Sequence, residues 1–107
     1  MAVTTKQTET STDPADALRD LRRKLGRKLK AWREERRITQ ADLAAELGLK
    51  YYSFISQVEN GIGRIPQDLY GPWADALSVD RKTFCWTVLQ HIEPALYVEL
   101  QATPERG

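Results

Sequence analysis

Several things are scarce in this chain of 107 residues, and each scarcity removes a class of function. There is one cysteine, one histidine and one methionine. A lone cysteine, Cys85, excludes an intramolecular disulfide and fits a reducing cytoplasm. With a single histidine, His91, on an apolar helix, the sequence offers no cluster of metal ligands and no sign of a cofactor. No apolar run approaches the roughly 18 residues that a membrane span needs. The N-terminus also lacks the apolar stretch of a signal peptide. Acidic pairs such as Glu34 and Glu35 are adjacent and point apart on a helix, so they form no acid–base couple. The short "GIG" at 61–63 follows a helical pattern, not a strand, and lacks the rest of any phosphate loop. An enzyme is therefore not expected. Nothing alternates with period two, so the chain reads as all-α.

Net charge is only +1, but its distribution is uneven. Between Arg19 and Arg37 lie ten of the sixteen Lys and Arg against three acids, a local surplus of seven. Most such runs are solvated helix faces. A local basic face nevertheless steers a protein toward phosphates more than its total charge does. Apolar residues at 41 % and charged residues at 29 % describe an ordinary globular composition of single-domain size.

Residues 1–14 are Thr-rich and nearly free of large apolar groups, which predicts a flexible tail. Asp13 before Pro14 predicts a helix start with proline at the first helical position. Leu18, Leu21, Leu25, Leu29 and Trp32 then recur at spacings of 3, 4, 4 and 3, one stripe of a helix reaching about Arg37. Its first two turns should project beyond the core. Thr39 and Asp42 fit a capping pattern for a second helix, with Leu43, Ala44 and Leu47 inward and Gly48 ending it. A third helix, about 51–59, is expected to turn Tyr51, Ile55 and Val58 inward with Phe54 beside them. Pro66 can open a fourth helix to Leu77, in which Pro72 should cause a kink or a split. Ser78 or Asp80 caps a fifth helix over about 81–92. After Pro94, "ALYVEL" adds either a short helical turn or a strand.

Two short helices joined by a glycine turn form a helix-turn-helix, whose second helix can lay its outer face in the DNA major groove, about 12 Å wide. The polar composition of the third helix suits that task. Gln, Asn and Ser offer donors and acceptors to base edges without the desolvation cost of a full charge.

The residues "ITQADLAAELGL", "FISQVENG" and "IPQDLYGPWADAL" resemble the Xre family, the lambda-repressor and Cro type of helix-turn-helix domain. The likeness spans about residues 25–80. It implies a helix-turn-helix DNA-binding domain of about five helices over 15–80, with the motif at about 40–59; residues 81–107 are read beside it as a helical C-terminal extension. It also implies roles. Gln40 would touch a phosphate and brace the recognition helix. Tyr52, Ser53, Ser56 and Gln57 would read bases. Asn60, Arg64 and the amides of the Gly61–Gly63 loop would hold phosphate, and Lys50 would face phosphate from the turn. Arg33 and Glu59 would form a salt bridge between the first and third helices. Two departures stand out. One extra residue separates Gly48 from Ile55, and Arg37 stands where the family often has glycine, so either it takes positive φ at a cost of about 1 kcal/mol or the turn differs.

In the extension, Phe84, Val88 and Leu89 can close the core, leaving Trp86, Ile92, Leu96 and Tyr97 as candidates for a homodimer surface. All of them could instead cap the monomer's own core. The expected function is a cytoplasmic, dimeric, sequence-specific repressor of double-stranded DNA that acts on an inverted repeat. The alternatives are an antitoxin-like module that also binds a partner protein and autoregulates its operon, and a reader of duplex shape without sequence preference.

Overall fold

The computed structural model describes residues 13–102. Helix α1 spans Pro14–Glu35, with the Asp13 carboxylate accepting from the Ala15 amide at 3.0 Å and Pro14 in the first turn. Of the predicted tail, residues 1–12 lie outside the described residues, and Pro14 is already helical. The inner stripe of α1 becomes buried only from Leu25 onward; Leu18 is 38 % exposed, so the first turns overhang the core. The helix stops at Glu35, two residues before Arg37. Arg37 then takes φ 62°, and its amide donates to the Glu34 carbonyl. The glycine-like conformation is thus kept without glycine.

Five more helices follow: α2 (Gln40–Glu46), α3 (Ser53–Glu59), α4 (Tyr70–Ala76), α5 (Arg81–Ile92) and α6 (Pro94–Ala102). A 3-10 turn at Gln67–Leu69 leads into α4, and no strand occurs among the described residues. The segment "ALYVEL" is therefore helix. Asp80, not Ser78, caps α5 by accepting from the Thr83 amide at 3.0 Å. Ser78 instead turns the chain at φ 58° and accepts from Arg36 Nε at 2.7 Å. Pro72 does not break its helix. It lies in the first turn of α4, where an amide has no intrahelical acceptor to lose. The interruption falls earlier, between the 3-10 turn and Tyr70.

The core gathers Leu25 and Leu29 from α1, Leu43 from α2, Ile55 and Val58 from α3, Trp73 and Leu77 from α4 and its end, and Phe84 and Val88 from α5. Trp32 stacks on Phe84 with ring centroids 5.9 Å apart. The Trp73 indole N–H is enclosed and has no hydrogen-bond partner among the described residues. Helix α5 packs against α1 and α4, whereas α6 rests on α5 and buries none of its residues.

Candidate nucleic-acid interface

The motif is built from α2, its turn and α3. Thr39 and Asp42 cap α2 reciprocally. The Asp42 amide donates to Thr39 Oγ1 at 3.0 Å, and the Thr39 amide donates to Asp42 Oδ2 at 2.9 Å. Bonding of its carboxyl to the Thr39 amide first, and to the Thr39 hydroxyl second, holds Asp42 below the usual carboxylate range. Gly48 ends α2 at φ 71°.

Helix α3 starts at Ser53, two residues later than the sequence implies. Tyr51 consequently lies in the turn and is 65 % exposed, against its expected inward position. The extra residue between Gly48 and Ile55 is absorbed there, and Leu49 packs on the core instead. Lys50 also lies in this turn, with Nζ 5.6 Å from the Tyr51 ring centroid.

On α3, Ile55, Val58 and Glu59 face inward. Ser53, Ser56, Gln57 and Asn60 follow one another at helical spacing on the opposite side. Ser53, Gln57 and Asn60 are exposed and Ser56 is half-buried. Tyr52 precedes them, 59 % exposed, at the edge of an open cleft of about 470 Å³ that Arg37, Thr39 and Gln40 also line. The Asn60 amide nitrogen lies 3.4 Å from Ser56 Oγ. No charged side chain interrupts this outer surface.

Behind it sits a buried polar junction. Arg33 Nε donates to Glu59 Oε2 at 2.7 Å and Nη2 to Oε1 at 3.0 Å. Gln40 Nε2 donates to Glu59 Oε1 at 3.0 Å, and Arg33 Nη1 to the Ile38 carbonyl at 2.9 Å. The bond that Arg33 donates to Glu59 raises the Arg33 pKa against the opposing effect of burial. Gln40 thus braces α3 directly. The sequence reading missed Gly26: a Cβ there would lie 2.2 Å from the Glu59 carbonyl oxygen, so α1 and α3 cross at backbone contact. A glycine inside a long helix was the available signal.

The loop after α3 corrects one expectation. Its amides are not open to an anion: Gly61 donates to the Val58 carbonyl, and Ile62 and Gly63 both donate to the Gln57 carbonyl at 2.9 and 3.1 Å. They close the end of α3, whose last carbonyls need donors. Any phosphate held here falls to side chains, namely Asn60 and the exposed Arg64, which shares a crevice with Arg22 and Gly63.

The extension divides unevenly. Trp86 and Leu96 are 37 % and 49 % exposed, and Tyr97 meets the Trp86 ring edge-on at 6.0 Å. Ile92 is half-buried and packs against the monomer's own core. Val98 and Leu100, not singled out in the sequence, are 58 % and 50 % exposed. His91 Nδ1 is 2.7 Å from the Thr87 carbonyl oxygen. Among the described residues no three His, Cys, Asp or Glu are placed to hold a metal ion, and no helix is long and apolar enough to cross a membrane.

A model of the helix-turn-helix family matches residues 29–84, more than half of the chain. Comparison with curated proteins and with solved structures found no match. The match runs from the core-facing half of α1 into the first turn of α5, and takes in the whole arrangement of capped α2, glycine turn and outward-facing α3. The chain belongs to this helix-turn-helix family, of the Xre and lambda-repressor type, and is a DNA-binding transcriptional regulator.

Proposed function

We propose that the protein is a cytoplasmic, homodimeric repressor that reads an inverted-repeat operator and acts by occluding RNA polymerase. Tyr52, Ser53, Ser56 and Gln57 read base edges in the major groove. Gln40, Lys50, Asn60 and Arg64 hold the flanking phosphates, and the α5–α6 face around Trp86, Leu96 and Tyr97 joins two copies. In such a dimer the two α3 helices lie about 34 Å apart, one turn of DNA. One observation carries the reading: the uncharged outer side of α3 is exposed, while Arg33, Glu59 and Gln40 fix the same helix from behind. Base edges are met best by such groups, because a glutamine can contact adenine bidentately for about 1–3 kcal/mol of discrimination.

A gel shift with the DNA upstream of the gene tests this. Gln57→Ala is expected to weaken that complex by about 1–3 kcal/mol and leave a scrambled duplex unaffected. Equal affinity of the wild type for both duplexes at moderate salt would overturn sequence-specific reading. The uncovered apolar face also supports the second reading, a partner protein seated on α6. Co-purification of a neighbouring gene product, with no self-association, would favour that reading.

A further inference from the structure

The arginines that crowd α1 are not used up by the helix-turn-helix. A Cβ on Gly61 would meet Arg23 Cα and N at 2.9 Å, so α1 crosses the end of α3 at Arg23. From there α1 continues to Pro14, nine residues further, about 14 Å of helix at 1.5 Å per residue. This overhang lies outside the family match, which begins at residue 29.

Arg19, Arg23 and Gly26 follow at spacings of four and three, so they share the side of α1 that faces α3. Each arginine is held by an aspartate one turn earlier. Arg23 Nη1 lies 3.0 Å from Asp20 Oδ1, and Arg19 pairs with Asp16. Both pairs are open to water, with the arginine side chains 49 % and 55 % exposed at positions 19 and 23. Such pairs are weak and easily exchanged. A duplex presents a phosphate charge every 1.7 Å or so along its axis, and a guanidinium grips phosphate in a bidentate fork.

We propose that the overhang of α1 is a backbone clamp. With α3 seated in the major groove, as proposed above and on which this rests, Arg19 and Arg23 leave their aspartates and take duplex phosphates beyond the end of α3. Asp16 and Asp20 act as built-in competitors. The clamp adds affinity and salt dependence without sequence preference, since phosphate contacts carry no base information.

The test is the salt dependence of binding of the full chain to a labelled scrambled duplex and to the upstream-region duplex. Arg19→Gln/Arg23→Gln should make the slope of log K against log salt shallower by roughly 2 for each copy bound, at about 0.9 per phosphate. It should weaken both duplexes by the same factor while the melting temperature stays at the wild-type value. Asp16→Asn/Asp20→Asn should bind both more tightly, beyond the effect of the charge-matched Glu93→Gln/Glu99→Gln variant, with Glu93 at the end of α5 and Glu99 on α6. An unchanged slope in the arginine variant overturns the clamp, as does a gain no larger in the aspartate variant than in its charge-matched control. If the wild type binds no duplex, groove docking itself fails and the clamp with it. If Gln57→Ala still loses base discrimination while the slope is unchanged, the clamp alone fails.

Discussion

Glu59 accepts from Arg33 on α1 and Gln40 on α2 while lying 4 % exposed on α3, so one carboxylate fixes three helices. Arg33→Met strands that carboxylate with Gln40 alone and should cost about 3–5 kcal/mol in urea unfolding. Arg37 presents the opposite case. Its φ of 62° strains any residue with a Cβ, and Arg37→Gly should raise stability by about 1 kcal/mol. Asp42 contributes to acid sensitivity. Its folded pKa is depressed, so the stability it adds is present above the ordinary carboxylate value of about 4 and is lost as pH falls through the folded value. Asp42→Asn should therefore flatten the fall in melting temperature below about pH 4. The cap at Thr39 was legible because it is written in residue types at a fixed short spacing, and the Arg33–Glu59 pair because the resemblance to the Xre family implies it. The bond from Arg36 to Ser78 was not, because its partners are 42 positions apart and only the fold unites them.

Among the elements, the crossing of α1 and α3 is the tightest constraint. Gly26→Ala places a methyl on the Glu59 carbonyl oxygen, with backbone on both sides and no flexible side chain to give way. The helix would gain propensity, yet the pair must separate. Overpacking of this kind should lower stability by about 1–3 kcal/mol, and the displaced α3 should weaken duplex binding in the same variant. The apolar stripe of α1 announced that helix, and the Gly48 turn announced the end of α2. The start of α3 was less readable. With Ile55 and Val58 expected inward, its outer side follows, but nothing local says that Lys50 and Tyr51 are spent in the turn. Pro72 misled for a related reason: proline reads as a breaker unless one knows it falls in a first turn, and the 3-10 turn before Tyr70 has no strong signature.

For the molecule as a whole, the open question of assembly rests on α6. It adds no buried residue to the monomer, yet carries Leu96, Val98 and Leu100 half exposed, and its Tyr97 meets Trp86 edge-on. If a second copy covers this face, Leu96→Asp should give a monomer in sedimentation at micromolar concentration, with little change in unfolding of the monomer itself. Retained dimer in that variant would move the interface elsewhere. The all-α class was legible from periodicity alone, and the apolar surplus after Pro94 already pointed to uncovered surface at Leu96, whereas the exposure of Val98 and Leu100 was not foreseen. The junction at Glu59 has one more consequence. A helix pinned from behind by three hydrogen bonds meets DNA already shaped. The heat of association should then report dehydration and ion release, with no contribution from ordering α3.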